Sequence, residues 1–181
     1  SNTWIVDPLD GTLNFLHGLP HFCVSVALER DGKICAGVIY EPISDQMFWA
    51  ERGRGAFLNG QRLRVSSRND MADSVFATGI PFKGREGHAV FLKELENVMA
   101  SAAGVRRFGS AALDLAYVAS GRYDGYCQSN LNLWDIAAGL IIIKEAGGVI
   151  NDIDLNNHNN LNVIASSPNI NDKFIEKISN F

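Results

Sequence analysis

Trp4-Ile5-Val6-Asp7-Pro8-Leu9-Asp10-Gly11-Thr12-Leu13-Asn14-Phe15 opens the 181-residue chain and decides how the rest is read. Trp4 to Val6 is a short β-type run that Asp7-Pro8 brings to a stop, and Gly11-Thr12 begins a segment with the look of a helical turn. The two carboxylates therefore fall at a strand end. They lie three apart around Pro8, on a turn that proline stiffens and Gly11 lets pass close to a ligand. Such a pair can hold one or two hard cations through its oxygens, with the carbonyl of Leu9 free to join. The N–H groups of Gly11 and Thr12 head the next turn, where an anionic phosphate is well received. Asp-Pro-x-Asp-Gly is equally ordinary turn chemistry, so this stretch alone leaves site and turn both open.

Beyond it, residues 23–65 alternate in the manner of strands. Val24, Val26 and Leu28 share one face, Asp31-Gly32 turns the chain, Ile34 to Tyr40 resumes, and Met47 to Glu51 and Ala56 to Leu58 follow, with Asn59-Gly60 as a hairpin dipeptide. An antiparallel meander is expected. Residues 87–103 carry Val90, Phe91, Leu95, Val98 and Met99 at helical spacing, and residues 110–120 do the same with Leu113, Leu115, Ala116 and Ala119, around a short strand at Val105 to Phe108.

A strand is expected at Tyr123 to Cys127. Trp134 to Ala146 is apolar on nearly every side and stops at Gly147-Gly148, which predicts a buried helix with Asp135 in its first turn. Taken alone, Asp135 reads as a carboxylate favoured by the helix dipole. Strands at Val149 to Ile153 and Val163 to Ala165 flank an Asn-rich loop, and a helix from Asn169 to Phe181 closes the chain. Strands mixed with helices, many of them antiparallel, give a layered α+β class.

The bulk numbers exclude several functions. At 46% hydrophobic residues the chain can close one substantial core, and a single domain over residues 1–181 is expected. A net charge of −4 with scattered basic residues offers no stripe to a nucleic-acid backbone. Cys23, Cys35 and Cys127 lack metal or redox spacing and read as buried thiols of a reducing compartment. The longest apolar run, Ile136 to Ala146, is too short to span a bilayer, and no signal pattern opens the chain, so a cytoplasmic protein is expected.

Two separated stretches carry a resemblance. Residues Trp4 to Phe15 resemble the first signature of the inositol monophosphatase family, and Trp134-Asp135-Ile136-Ala137-Ala138-Gly139 through Glu145-Ala146-Gly147-Gly148 resembles the second. Between them, Arg107 to Leu115 is similar to the family's substrate-side segment. The resemblance implies a layered α/β/α/β(/α) sandwich of the sugar-phosphatase type with mixed, largely antiparallel sheets. It implies Asp7, the Leu9 carbonyl, Asp10 and Asp135 as ligands of two or three magnesium ions, Gly11 and Thr12 as phosphate contacts, and Thr12 as an aid to orienting the attacking water. Gly109, Ser110 and Ala111 would line the substrate, a phosphorylated polyol. The position seven before Asp135, where animal relatives carry a substrate-reading glutamate, is Gln128.

The implied reaction is hydrolysis of a phosphate monoester by in-line attack of a metal-activated water, with myo-inositol 1-phosphate as the favoured substrate. Histidinol phosphate, fructose bisphosphate and 3′-phosphoadenosine phosphates are the alternatives, and a partner role in the transcription machinery is the alternative of a different class. A homodimer and lithium sensitivity are family expectations. The family also carries two long helices and a Glu-Glu pair upstream of the first signature. On that comparison the chain is expected to be truncated at its N-terminus, without the first helical layer, weakly active or inactive by itself, and poorly soluble through an uncovered sheet.

Overall fold

The computed structural model describes residues 2–178. Its first half is a six-stranded antiparallel sheet in sequence order: β1 (Asn2–Asp10), β2 (Cys23–Arg30), β3 (Lys33–Glu41), β4 (Gln46–Glu51), β5 (Gly55–Leu58) and β6 (Gln61–Arg62). This is the meander expected from the alternation. A five-residue helix, α1 (Thr12–Leu16), leaves the end of β1.

β1 runs further than the sequence suggests. It does not stop at Asp7-Pro8 but continues to Asp10, with Asp7 opposite Ser25 and Asp10 opposite Cys23. Three steps along β1 thus match two along β2, which is a bulge with one extra residue. Pro8 is tolerated because it falls inside the bulge of an edge strand, where no ladder bond needs its missing N–H. The extra residue also corrects parity. In a regular strand Asp7 and Asp10 would face opposite sides; here both are buried on the inner face.

The second sheet has the order β10-β11-β9-β7-β8, from β7 (Val75–Thr78), β8 (Gly104–Arg106), β9 (Gly125–Leu131), β10 (Val149–Ile150) and β11 (Leu161–Ser166). β7 pairs parallel to both β8 and β9, whereas β11 is antiparallel to β9 and β10. Two helices lie between the sheets, α3 (Ala111–Ala119) and α4 (Leu133–Glu145). α4 packs on β2, β3 and β4, while α3 touches α4 and also β9 and β11. Their small residues let the backbones approach: a methyl on Gly37 of β3 would lie 2.8 Å from Cα of Ala138, and one on Gly139 would enter Leu115.

On the far side of the second sheet, α2 (His88–Met99) and α5 (Asn171–Lys177) close a smaller core around Phe76, Val98, Ile170 and Phe174, where Phe76 and Phe174 stack at 4.4 Å. The layers are thus sheet, helices, sheet, helices, in keeping with the sandwich expected. The closing helix is shorter than expected, and the part of that expectation at 179–181 lies outside the described residues. The strand expected at Tyr123 begins two residues later, and β10 holds two residues instead of five.

The outer face of the six-stranded sheet is apolar. The registers align Trp4 with Leu28, Val6 with Val26, Val26 with Val38, Val38 with Trp49 and Trp49 with Phe57. Trp4 is 67% exposed there, and Val6, Val24 and Met47 are exposed as well. Among the described residues, no helix is long and apolar enough to cross a membrane.

Candidate metal centre

Two elements bring three carboxylates to a common point. Asp7 and Asp10 come from the bulged end of β1, and Asp135 comes from the third position of α4. One oxygen from each lies within 4.8 Å of the others. The two segments picked out from the sequence therefore meet in space.

Each carboxylate has one oxygen tied down. The N–H of Leu9 donates to Asp7 Oδ1 at 3.1 Å, and that of Asn132 donates to Asp135 Oδ2 at 2.7 Å. Asp10 Oδ2 accepts from the N–H of Ala112 at 3.0 Å and from the hydroxyl of Ser110. Ser110 also caps α3 through the N–H of Leu113, so the helix and the carboxylate share one hydroxyl. The remaining oxygens are left to face one another.

Burial raises all three carboxyls above their ordinary range. Asp10 is pushed up to about 6 by desolvation, against the hydrogen bonds from Ser110 and Ala112, and the charges of Asp7 and Asp135 add to the rise. For Asp7 and Asp135 desolvation is again the largest cause, opposed by the N–H groups of Leu9 and Asn132, and the two carboxyls are close enough to influence each other. Crowded like charges with no basic partner are what a cation relieves. The donor set, all oxygen, suits a hard divalent ion.

Leu9 and Thr12 form a local pair, the Thr12 hydroxyl donating to the Leu9 carbonyl at 2.8 Å. Gly11 sits at φ 82° at the start of α1, and a methyl there would come within 2.9 Å of the His21 carbonyl. Asn14 clamps this turn to the segment before α3, its amide donating to the carbonyls of His21 at 2.8 Å and Phe108 at 2.7 Å. Gly109 lies against that clamp at φ +88°.

Of the residues expected on the substrate side, Ser110 is buried with its hydroxyl on Asp10, and Ala111 is buried beside it. Gln128 lies on β9 and lines a separate cavity of about 410 Å³; its Oε1 accepts from the Tyr126 hydroxyl at 2.7 Å. The sequence reading missed the anchors Ala112, Asn132 and Asn14. It also missed that Cys23, taken as core packing, puts Sγ 3.9 Å from Asp10 Oδ2. Ser110 and Asn132 left a signal, as residues suited to cap the helices that follow them. Glu145 accepts from the N–H groups of Gly53 and Gly55, both at 2.8 Å, and so pins the end of α4 to the β4–β5 turn.

A layered α+β sandwich with an oxygen-only acid cluster between strand and helix defines the class. The model of the inositol monophosphatase family matches residues 1–180, and the chain belongs to that family. An inositol-1-monophosphatase of Mesorhizobium japonicum is 61% identical over 151 residues, which cover 83% of this chain and 57% of that protein. A Nus factor SuhB of Pasteurella multocida is 45% identical over 178 residues, covering 97% of this chain and 66% of that one. Among solved structures, an extragenic suppressor protein suhB from Bartonella henselae superposes with a TM-score of 0.92 at 53% identity, over 98% of this chain and 70% of that one. The chain thus spans between about half and three quarters of the length of these relatives.

Proposed function

We propose that the protein hydrolyses a small phosphate monoester with magnesium held by Asp7, Asp10, Asp135 and the Leu9 carbonyl, and that myo-inositol 1-phosphate is the first substrate to test. The observation that carries this reading is the convergence of three carboxylates, Asp7 and Asp10 buried and Asp135 half-buried, each with one oxygen anchored, in a member of a phosphatase family. When bound, the cations supply Lewis acidity, offsetting charge on the phosphate and making water a better nucleophile.

The chain's own residues do the positioning. Ser110 and Ala112 fix the rotation of Asp10, Asn132 that of Asp135, and Leu9 that of Asp7. Gly11 and Thr12 stand next to this cluster and are the proposed phosphate contacts; Gly109 and Ala111 are proposed to border the substrate through their backbones. The apolar outer sheet face and the greater length of the relatives support a further part of the reading, that the active protein covers this face with additional chain. A cytoplasmic homodimer is proposed on the family likeness alone.

The test is phosphate release from inositol 1-phosphate by the intact protein, with and without magnesium. Release should need magnesium and fall by two orders of magnitude or more in Asp135→Asn. Magnesium-independent release, or an Asp135→Asn variant with full activity, would sink the proposal. A second reading, a binding role in the transcription machinery, is favoured by the relatives that bear the name Nus factor. It gains if cellular function survives in an Asp135→Asn strain that has lost phosphatase activity.

A further inference from the structure

Glu94, in the middle of α2, is 4% exposed, and its Oε1 accepts no hydrogen bond among the described residues. It lines the cavity of about 410 Å³ together with Ile80, Phe82, Arg85, Phe91 and Gln128. The cavity lies past the end of β7, at Gly79, and against the last residues of β9, at Gln128 to Asn130. β7 and β9 are parallel and both point toward this edge of the sheet, β9 running four residues beyond the partner of Thr78, and the carboxyl ends of parallel strands are where open α/β sheets receive ligands. Asp135 follows β9 by four residues, so cavity and metal centre share that edge.

The cavity's own cation does not serve Glu94. Arg85 lies over the ring of Phe82, 5.3 Å from its centroid, and no ion pair joins it to Glu94 among the described residues. Glu86 adds a second carboxylate to the wall. Gln128 brings no charge, and its carbonyl oxygen is taken by Tyr126, which turns its NH2 group outward as a donor. The cavity wall therefore combines the apolar side chains of Ile80, Phe82, Val90 and Phe91 with uncharged polar ones on β9 and β11 and a surplus of negative charge. Burial lifts the Glu94 carboxyl above its ordinary range.

An unpaired buried carboxylate is costly, and a ligand that matches its charge recovers that cost. A bare divalent ion needs several oxygens close around it; Glu86 is exposed while Glu94 is buried, and among the described residues three ligating side chains gather only at Asp7, Asp10 and Asp135. An ammonium group on a small organic body does fit. Its N–H groups meet the carboxylate, its charge faces the ring of Phe91, and its carbon skeleton fills the apolar remainder. We propose that this cavity is a binding site for a small organic amine in its protonated form, with Glu94 as the group that recognises the charge. The site stands apart from the metal ligands and does not need the phosphatase reading to hold. If that reading does hold, the site would take the amine end of a longer phosphate ester.

The test compares two probes of nearly equal shape, cyclohexylamine and cyclohexanol, bound to the intact protein at neutral pH and followed by NMR titration in saturating magnesium and again in chelator. Cyclohexylamine should bind at a single saturable site at least tenfold more tightly than cyclohexanol under both conditions. Glu94→Gln should bring the two within about twofold. Arg85→Ala, an exposed change that leaves folding alone and removes a competing cation, should strengthen amine binding about two- to fivefold. Asp135→Asn should leave it unchanged, which separates this site from the metal centre. Equal affinity for the two probes in the wild-type protein overturns the proposal without any variant. So does a preference that survives Glu94→Gln but vanishes in Asp135→Asn.

Discussion

Asp10 is held by groups a hundred positions away, and that dependence can be measured. Ser110 touches the carboxylate and supports a helix, so Ser110→Ala removes a positioning contact while the three acidic residues stay in place. Magnesium affinity should drop about 10- to 100-fold, the usual cost of losing an outer-shell partner, and loss of the α3 cap should lower stability by about 0.5–2 kcal/mol besides. Calorimetric titration of both proteins would show it, and an unchanged affinity would remove Ser110 from the account. The sign of the pH effect follows from burial. A carboxyl raised to about 6 favours the fold in its protonated form, so its contribution is fully present below about pH 4 and is lost as the pH rises through 6. The loss is on the order of 3 kcal/mol for Asp10 without a cation. In chelator, the protein should therefore melt lower at pH 7 than at pH 5, magnesium should raise the melting temperature more at pH 7, and both differences should shrink in Asp10→Asn. A larger magnesium effect at pH 5 would contradict this. At this scale Asp7, Asp10 and Asp135 were legible because carboxylate spacing and helix-end position are local. Ala112 acts through a backbone N–H group, which leaves no mark on residue type, and Asn14 acts on a carbonyl 94 positions away.

The elements that hold the site differ in how plainly the chain announces them. The meander from β2 to β5 and the buried helix α4 were legible, because alternation and an all-round apolar run are strong periodic signals. β7 was not: four residues, Val75 to Thr78, are too few to establish a period, and both neighbours are parallel strands brought in from far along the chain. The bulge in β1 was hidden for another reason, since Pro8 reads as a strand stop and only pairing with β2 reveals that the strand continues. Close packing between β3 and α4 rests on Gly37. Its substitution by Ala would push a methyl to within 2.7 Å of Ile141 Cγ2 and 2.9 Å of the Ala138 carbonyl oxygen, and backbone cannot yield as a side-chain tip can. Gly37→Ala should destabilise the protein by about 1–3 kcal/mol in urea unfolding. Because α4 carries Asp135, the same variant should also weaken magnesium binding. A neutral effect on stability would mean that the helix sits further from the sheet than described.

Across the whole molecule, four layers enclose two cores and leave the outer face of the six-stranded sheet uncovered. The stripe of Trp4, Val6, Val24 and Met47 on the six-stranded sheet is larger than a set of scattered surface hydrophobics, and such patches seek cover. Produced as 181 residues, the chain should self-associate, and the pair Val24→Lys with Met47→Lys should shift it toward monomer in sedimentation velocity. Exposed substitutions of this kind should alter stability by less than about 0.5 kcal/mol. A chain already monomeric at high concentration would show that the face is tolerated bare. Layer order was legible through the family likeness more than through periodicity, because the pairing of β11 with β9, not the content of either strand, decides which helices lie inside.

The central claim is that Asp7, Asp10 and Asp135 together hold a divalent cation. Its most direct test is a manganese titration of the intact protein followed by electron paramagnetic resonance, with manganese standing in for magnesium. Manganese should bind saturably, be displaced by magnesium, and bind at least tenfold more weakly or not at all in each of Asp7→Asn, Asp10→Asn and Asp135→Asn. Binding that is absent from the wild-type protein, or that survives all three substitutions, would contradict it.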